Sequence, residues 1–321
     1  MEQAAMINKL KEMMGHKLIE NADMSRYTSF KAGGCAAALI EVESKEELKA
    51  VLKLVTSENI PHMVIGNGSN MLFKDSGYDG LVIKLSPQGF VYIAYIKAEE
   101  GLEKGRPEDL KPGEKYLVHV GAAMKNGILA KILQKDGLAG FEFASGIPGS
   151  LGGAVFMNAG AYGGEMKDIV KSVKAVSPDG LEERIFTSEE MDFGYRHSIL
   201  GENGYIAVEV TLELEKGDKE AIGARMKELL EKRNSKQPVN YPSAGSTFKR
   251  PEGHYAGKLI EDAGLKGLTV GGAQVSTLHS GFVINKEGAT ATDILQLMAL
   301  IQNTVYDKFG VMLEPEVRII G

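Results

Sequence analysis

The alternation of apolar and polar residues predicts a mixture of helices and strands from the start of the chain. SKEE at 44–47 has the pattern of a helix capping box. Four apolar residues follow it at the spacing of one helical face: Leu48, Val51, Leu52 and Val55. HMVIG at 62–66 indicates a buried strand, LVIKL at 81–85 a second strand, and GNGSN at 66–70 a glycine-rich turn between them. These elements predict a first lobe that ends near Ser86.

Strand patterns dominate the next part of the chain, up to about Glu215. VYIAYIK at 91–97 and YLVHVGA at 116–122 flank a polar segment at 98–115, which is predicted to be a long exposed hairpin loop. Asn126 is predicted to cap a helix that Gly137 ends. The apolar residues of that helix are Ile128, Leu129, Ile132 and Leu133. Two further strands, VKSVKAVS and YIAVEVTLEL, flank a capped helical turn that begins at Thr187 and ends at Glu190.

The last third of the chain is predicted to be helical with an irregular insert. A helix from about Lys219 to Arg233 precedes SKQPVNYPSAGSTFKRP, in which proline and glycine exclude regular structure. Tyr255 to Ala263 indicates a short helix. A longer one begins at Thr292 and ends at Gly310, and the closing segment VMLEPEVRII indicates a strand. Five residues form the apolar face of the longer helix: Ile294, Leu297, Met298, Ile301 and Val305. Glycine turns interrupt strands rather than open long crossovers, which favours an α+β fold over a doubly wound parallel sheet.

Composition excludes several classes of protein. The chain has 321 residues, 43% of them hydrophobic and 25% charged, as in an ordinary globular protein. No apolar run approaches the roughly 20 residues of a membrane span. The N-terminus lacks the apolar core of a signal peptide and predicts an amphipathic helix instead. This helix presents Met6, Leu10, Met13 and Met14.

Charge and cysteine content narrow the function and location. The net charge of −6 argues against generic nucleic-acid binding. Cys35 is the only cysteine, which rules out an intramolecular disulfide and fits the cytoplasm, and we expect it to be a buried, inert thiol. The six histidines show no metal-binding spacing, so no metal site is expected.

Basic residues are concentrated between Arg225 and Lys258. The segment contains eight of them and three acids. Two interpretations remain open. The residues can form a solvated helix face followed by a loop, or they can attract an anionic small molecule to an otherwise acidic protein.

Two glycine-rich segments point to a cofactor. Seven of the nineteen residues of GIPGSLGGAVFMNAGAYGG (146–164) are glycine and none is charged. Neither this segment nor GNGSN contains a P-loop, and Met71 occupies the place of the third glycine of a dinucleotide fingerprint. Successive amides in such turns hold phosphate oxygens without lysine, which suits flavin adenine dinucleotide (FAD). The alternative is that these glycines only make tight turns.

Three other segments contain candidate reactive groups. Arg196 in DFGYRHS could bind a carboxylate in a bidentate manner. Ser246 in SAGSTFKRP follows a glycine and precedes Lys249, and its hydroxyl can donate a proton if its alkoxide is stabilised. In LEPEVRII, strand alternation places Glu314, Glu316 and Arg318 on one face, where they could equally be a solvated edge.

Six motifs together resemble one enzyme family. They are GNGSNML, GFEFASGIPGSLGGAVFMNAGAYGGEM, MDFGYRHSIL, YPSAGSTFKRP, GLKGLTVGGAQVS and LEPEVRIIG. In this order they are similar to UDP-N-acetylenolpyruvoylglucosamine reductases, the flavoenzymes of peptidoglycan precursor synthesis, and the resemblance spans about Tyr27 to Gly321. Only 50 positions separate Arg196 from Ser246, so the chain resembles the second subtype, which lacks a tyrosine-bearing insertion.

The resemblance implies a fold in several parts. After the N-terminal helix at 1–26, an FAD-binding domain of the PCMH (vanillyl-alcohol-oxidase) type would occupy 27–215, in lobes 27–87 and 88–215. A substrate-binding α+β domain would occupy 216–312. A C-terminal strand at 313–321 would return to the flavin site.

The resemblance also implies the chemistry. NADPH reduces non-covalently bound FAD, and hydride then passes to the terminal carbon of the enolpyruvyl group of the sugar nucleotide. Arg196 would bind and polarise the substrate carboxylate. Ser246 would donate the proton to the adjacent carbon, and Glu316, in its protonated form, could donate to the developing enolate. The cofactor would contact Ile65, Gly66, Asn67, Gly68, Ser69, Asn70, Gly146, Ile147, Pro148, Gly149, Ser150, Gly152, Gly153, Ala154, Asn158, Ala159 and Gly160.

Five residues are expected on the substrate side: Tyr195, Lys249, Arg250, His279 and Arg318. Arg250 stands where first-subtype enzymes have asparagine, so that ligand role is not transferred, and its charge alone suits a diphosphate. The 98–115 insert has no assigned function. We expect a cytoplasmic monomer or weak dimer. Two alternatives remain: another FAD-dependent oxidase or dehydrogenase of this fold, or a non-catalytic nucleotide-binding module that would give Ser246 and Glu316 no role.

Overall fold

The computed structural model describes residues 3–97 and 111–321. The helices are α1 (Gln3–Met14), α2 (Lys45–Ser57), α3 (Pro87–Phe90), α4 (Asn126–Asp136), α5 (Leu151–Phe156), α6 (Leu200–Asn203), α7 (Lys219–Lys236), α8 (Ala256–Asp262) and α9 (Ala291–Phe309). Short 3-10 helices occur at Gly15–Lys17, Met24–Arg26, Glu142–Ala144 and Met166–Asp168.

The strands are distributed along the described chain. They are β1 (Leu18–Asp23), β2 (Cys35–Val42), β3 (His62–Ile65), β4 (Met71–Phe73), β5 (Tyr78–Leu85), β6 (Ile93–Lys97), β7 (Lys115–Gly121), β8 (Leu138–Ala139), β9 (Gly160–Ala161), β10 (Gly164–Glu165), β11 (Val170–Val176), β12 (Glu183–Thr187), β13 (Ile206–Lys216), β14 (Thr269–Val270), β15 (Ala273–Val275), β16 (Val283–Asn285) and β17 (Arg318–Ile320).

The chain divides into two compact units. Unit 1 consists of Met1–Leu39, Asn67–Val82 and Arg233–Gly321, and unit 2 of Ile40–Gly66 and Ile83–Lys232. One four-stranded sheet has the order β1-β2-β5-β3, and strands β2 and β5 each contribute residues to both units.

Unit 1 has its own hydrophobic core around helix α9. The face predicted from the sequence, from Ile294 to Val305, is buried there with the small antiparallel sheet β14-β15-β16. Thr290 and Asp293 cap the start of α9 reciprocally, and Gly310 ends the helix in the left-handed conformation. Strand β17 pairs in parallel with β4, so the end of the chain lies beside the residues that follow the GNGSN turn.

Unit 2 contains a larger antiparallel sheet. Its strands have the order β12-β11-β13-β7-β6, with β8 added beside β13. Alternate residues of these strands form one core with helices α4 and α5. Gly137 ends α4 in the left-handed conformation, as predicted. The predicted apolar face of α2 is buried from Leu48 to Val55, and Ser44 accepts the Glu47 N–H as its cap.

Several local predictions are wrong. Asn126 is not a helix cap: Lys125 occupies that position, and the Asn126 side chain is buried and donates to the Ile147 carbonyl over 3.4 Å. Ile128 is half exposed although it was assigned to the apolar face. Strand 62–66 is mostly half-buried, with only Ile65 fully buried.

Other corrections concern residues near the chain ends. The final strand covers only Arg318–Ile320 rather than 311–320, because Pro315 has no N–H to donate to a ladder, although Leu313 and Val317 are still buried in alternation. Cys35 is only partly buried. The sequence did not predict strand β1, in which three of the six residues are polar and three are exposed.

The long polar insert is described only in part. Strands β6 and β7 pair antiparallel on either side of it, and residues 98–110 lie outside the described residues.

Candidate functional site

In unit 2, two predicted cofactor segments come together at Gly66 and Ser150. A Cβ atom built on Gly66 would lie 2.5 Å from the Ser150 Oγ, so a larger residue here would require the Ser150 hydroxyl to move. Gly149 has a φ of 124°, which L-residues rarely adopt, and helix α5 starts directly after Ser150. Gly152 packs against Ala122, where a Cβ would be 3.0 Å from the alanine Cβ. These glycines therefore have steric reasons besides a ligand.

One buried polar atom beside this segment has no partner. The Asn126 side chain is fully buried, yet its Oδ1 accepts no hydrogen bond among the described residues. Its main-chain N–H donates to the Gly149 carbonyl, which ties it to the glycine-rich segment. A buried acceptor without a donor costs about 1–3 kcal/mol unless a ligand or water supplies one. An uncharged segment with close backbone approach and a spare acceptor fits FAD.

In unit 1, the remaining part of the GNGSN turn is connected to the end of the chain. Gly68 has a φ of 60°, and a Cβ there would overlap the Tyr27 carbonyl oxygen. The Asn70 Nδ2 donates to the Glu316 carbonyl over 3.0 Å, and the Asn70 carbonyl accepts the Arg318 N–H over 3.0 Å. The predicted cofactor turn is thus hydrogen-bonded directly to Glu316, a predicted catalytic residue, and to Arg318.

The segments of Ser246 and Glu316 are paired through their main chains. The Glu316 N–H donates to the Thr247 carbonyl and the Lys249 N–H to the Glu314 carbonyl, each over 2.9 Å. On the other side, the Thr247 N–H donates to the Gly281 carbonyl, also over 2.9 Å. Asn70, Glu316 and Thr247, the neighbour of Ser246, therefore belong to one hydrogen-bonded arrangement within unit 1.

Thr247 is a site residue that the sequence did not indicate. It is 1% exposed, and its Oγ1 accepts the Val283 N–H over 2.9 Å in addition to its two main-chain bonds. Nothing in the pattern of a proline- and glycine-bounded loop distinguishes a structural threonine from its serine neighbour.

The four predicted substrate residues of unit 1 make the following contacts. Lys249 Nζ lies 3.2 Å from Glu314 Oε2, with both side chains exposed. The Arg250 guanidinium lies over the Tyr255 ring, 4.8 Å from its centroid. The Nδ1 of His279 accepts the Gly281 N–H over 3.1 Å, and burial lowers the pKa of His279 below its ordinary value of 6.5. Arg318 is exposed at the start of β17.

In unit 2, Arg196 lies at the tip of a two-residue turn. Gly194 and His197 exchange both main-chain hydrogen bonds, which leaves Tyr195 and Arg196 between them. Arg196 has a φ of 55°, and Tyr195 is 54% exposed with the Arg196 guanidinium 5.1 Å from its ring centroid. The turn therefore presents two predicted site residues on one short segment.

The basic segment is largely neutralised by local ion pairs. Within α7, Glu228 lies 2.6 Å from Arg225 Nη1 and also pairs with Lys232. Lys258 lies 2.5 Å from Asp262 in α8. These contacts support the interpretation of a solvated helix face for the α7 part of the segment, because exposed pairs of this kind screen each other.

Within residues 3–97 and 111–321, no cluster of three histidine, cysteine or acidic side chains is close enough to hold a metal ion. No helix in this part of the chain combines the length and apolar character needed to cross a membrane.

Two family models match the chain, one in its first two thirds and one near its C-terminal end. A model described as the C-terminal domain of UDP-N-acetylenolpyruvoylglucosamine reductase matches residues 237–320. A model described as an FAD binding domain matches residues 36–185. The second match contains both Gly66 and the glycine-rich segment from Gly146, and the first contains Ser246 and Glu316.

Individual relatives are similar over almost their full length. A UDP-N-acetylenolpyruvoylglucosamine reductase of Clostridioides difficile (strain 630) is 49% identical over 317 residues, 98% of this chain and 97% of the relative. One of Alkaliphilus oremlandii is 48% identical over 298 residues, 93% and 91% of the two chains. The crystal structure of the reductase from Thermus caldophilus is 35% identical, with a TM-score of 0.74 over 95% of this chain and 98% of that one. The predicted α+β fold is confirmed.

Proposed function

This chain belongs to the UDP-N-acetylenolpyruvoylglucosamine reductase family, and we propose that its reaction uses Arg196, Ser246 and Glu316 as the catalytic residues. The family membership makes it an FAD-dependent oxidoreductase that reduces a sugar-nucleotide precursor of peptidoglycan. The residue roles, the use of NADPH and the domain limits at 27–215, 216–312 and 313–321 are parts of the proposal.

One observation carries the assignment of roles. In unit 1, Asn70 donates to the carbonyl of Glu316, whose N–H in turn donates to Thr247, the neighbour of Ser246. A residue of the predicted cofactor turn is therefore hydrogen-bonded to Glu316, and through Glu316 to the residue that follows Ser246. These bonds continue the pairing of β4 with β17, and they support the proposal because they hold both catalytic segments beside the predicted cofactor turn.

When bound and reduced by NADPH, FAD would supply a hydride for the terminal carbon of the enolpyruvyl double bond. As the C–H bond forms, electrons of the double bond move toward the substrate carboxylate. Arg196 binds this carboxylate and favours the enolate-like transition state over the ground state. The Ser246 hydroxyl gives its proton to the adjacent carbon, which completes the lactyl ether, and Glu316 in its acid form donates to the developing enolate.

The two uncharged glycine-rich segments, 66–70 and 146–160, would hold FAD without covalent attachment through their main-chain amides. Lys249 and Arg318, with His279 and Tyr195, bind the sugar nucleotide and NADPH. Arg250 joins them through its charge. We further propose a cytoplasmic monomer or weak dimer.

Separate measurement of the two half-reactions tests the proposal. The purified protein should be yellow and should oxidise NADPH only when the enolpyruvyl sugar nucleotide is supplied. Ser246→Ala should leave NADPH reduction of the flavin at the wild-type rate. It should slow reoxidation by the sugar nucleotide by about 10²–10⁴-fold in stopped-flow absorbance, the range for loss of a general acid.

Ser243→Ala is the matched control, because Ser243 lies three residues earlier in the same irregular loop and contributes its carbonyl to a hydrogen bond with Ser29. It should change neither half-reaction. Equal slowing of both half-reactions in Ser246→Ala contradicts the proton-donor role. A colourless protein, or NADPH oxidation that ignores the sugar nucleotide, contradicts the proposed function and favours the oxidase or binding-module alternatives.

A further inference from the structure

The Arg196 turn is fixed from behind by one buried amide. Asn158 follows helix α5, is 1% exposed, and adopts a φ of 42°, a conformation in which asparagine is tolerated better than most residues. Its Nδ2 donates to the Gly194 carbonyl over 2.9 Å. That carbonyl also accepts the His197 N–H, which closes the turn. The side chain of Asn158 therefore contacts the base of the turn whose tip is Arg196.

The other polar positions of this amide are also used. Nδ2 donates a second hydrogen bond, of 2.8 Å, to Oε2 of Glu165, and Oδ1 accepts the Lys167 N–H over 2.9 Å. A primary amide has two donor hydrogens. Both are therefore taken by protein acceptors, and the side chain has no donor left for a cofactor.

Glu165 keeps this amide in its orientation. The carboxylate lies 3.1 Å from Lys167 Nζ, and the hydrogen bonds from Lys167 and Asn158 lower the pKa of Glu165. The charge of Arg196 acts in the same direction. An ionised carboxylate can only accept, so it requires the Nδ2 side of the amide and leaves Oδ1 for the Lys167 N–H.

A second anchor restrains the far side of the turn. Ser198, which is also 1% exposed, donates its hydroxyl to the Phe156 carbonyl over 2.7 Å. Arg196 itself has a left-handed backbone, which a residue with a Cβ maintains only where the surroundings enforce it. Asn158 and Ser198 supply that enforcement, both through contacts at the C-terminal end of α5.

We propose that Asn158 is a positioning residue for Arg196 rather than a cofactor ligand through its side chain. This inference rests on the proposed role of Arg196 in binding the substrate carboxylate. Loss of the amide removes its hydrogen bond to the Gly194 carbonyl. The turn can then change its conformation, which moves the guanidinium of Arg196 from its position. The step that needs Arg196 then slows, whereas cofactor binding and NADPH oxidation do not.

Asn158→Ala tests this with three readouts. Reoxidation by the enolpyruvyl sugar nucleotide should slow by about 10- to 100-fold, the effect of an error of about 1 Å in a catalytic group. The FAD dissociation constant, measured by titrating flavin-free protein and following flavin fluorescence, should stay within about threefold. The rate of NADPH oxidation with an artificial electron acceptor, which has no carboxylate to bind, should be unchanged.

Asn285→Ala is the matched control for loss of a buried amide. Asn285 is also buried and makes three hydrogen bonds, to the Phe30 carbonyl, the Lys31 carbonyl and the Ala289 N–H, none near Arg196. It should lower the melting temperature comparably while keeping the ratio of the two half-reaction rates at the wild-type value. A changed ratio in this control would mean that any buried amide has the same effect.

A pair of variants isolates the Gly194 bond. Asn158→Asp keeps the acceptor for Lys167 but places two carboxylates together and removes both donors. Adding Glu165→Gln restores a donor between positions 165 and 158 and leaves the Gly194 carbonyl with the His197 N–H but without the Asn158 donor. Reoxidation should stay slow in this double variant. Full recovery, or a rise in the FAD dissociation constant as large as the loss of rate, would overturn the inference, whereas an inactive wild type would instead overturn the proposed function.

Discussion

Arg196 and the pair formed by Ser246 and Glu316 are held by different kinds of hydrogen bond. The Arg196 turn in unit 2 depends on two side chains, Asn158 and Ser198, which bond to carbonyl groups. In unit 1, the segments of Ser246 and Glu316 are held mostly by main-chain pairs, with the Thr247 N–H and carbonyl both engaged, and the Asn70 side chain adds one bond to the Glu316 carbonyl. Side-chain anchors can be removed one at a time, whereas a main-chain ladder survives most substitutions. The two regions should therefore respond differently to mutation.

The largest effect on stability is expected in unit 1, at Thr247, whose side chain adds a buried hydrogen bond to its main-chain pairs. Thr247→Val has nearly the same shape but leaves the buried Val283 N–H without its acceptor. We expect a loss of about 1–3 kcal/mol in the free energy of unfolding, the cost of a buried unsatisfied donor. Urea denaturation of the FAD-saturated protein measures it.

Thr304→Val is the control for this substitution. Its hydroxyl donates to the Leu300 carbonyl of helix α9, so no N–H loses a partner, and its effect should stay within about 0.5 kcal/mol. Equal losses in the two variants would show that the Val283 bond has no special importance.

A smaller effect is expected from the second side-chain anchor of unit 2. Ser198→Ala removes the hydroxyl that bonds to the Phe156 carbonyl, which should cost about 0.5–1.5 kcal/mol. Because the Gly194 carbonyl keeps its bond to Asn158, reoxidation by the sugar nucleotide should slow less than in Asn158→Ala. Stopped-flow rates for both variants under one set of conditions make this comparison.

Ser57→Ala removes an exposed hydroxyl that bonds to the Leu54 carbonyl at the end of helix α2, and it serves as the control. It should alter neither stability nor rate. If Ser198→Ala slows reoxidation more than Asn158→Ala, the order of importance of the two anchors is the reverse of that inferred from their contacts.

The smallest effect is expected in the stability of unit 1, which should depend on pH. Burial lowers the pKa of His279, while Glu261 acts to raise it and Lys266 to lower it. A base with a lower pKa in the folded state binds protons more readily when unfolded. The contribution of His279 to the free energy of unfolding is therefore constant above the ordinary pKa of 6.5 and falls as the pH drops below that value. A protonated Nδ1 can no longer accept the Gly281 N–H, whose carbonyl bonds to Thr247.

Melting temperatures between pH 5 and 8 measure this dependence. His279→Gln should reduce the decline on the acid side, and His254→Gln, at an exposed position, should keep it. A decline that is identical in both variants would assign it to other groups.

Local pattern was sufficient for most of the secondary structure. The apolar faces of α2 and α9 and the glycine ends of α4 and α9 were predicted because helical periodicity and left-handed glycine are properties of short segments. The wrong assignments of Asn126 and of the strand at 311–320 have different causes. The Asn126 N–H is paired with the distant Gly149 carbonyl, which the local pattern does not show, whereas Pro315 has no N–H and interrupts the strand.

The residues of the candidate site also differ in whether the sequence could identify them. The types and order of Arg196, Ser246 and Glu316 could be recognised from motifs, because those motifs are contiguous in the chain. Neither Thr247 nor the positioning role of Asn158 could, since both depend on hydrogen bonds to segments 34 to 69 residues away: Gly281 and Glu316 for Thr247, and Gly194, 36 residues away, for Asn158.

By itself the sequence determined the α+β class, the family, and the residues able to carry the chemistry, because these follow from composition, periodicity and contiguous motifs. Only the tertiary structure decided which of those residues are held rigidly and by what. Asn158 is the clearest case: its position in a glycine-rich motif suggests a cofactor contact, whereas its three hydrogen bonds commit both donors to the protein. A side chain has a fixed number of donors and acceptors, and only the folded chain determines where they are used.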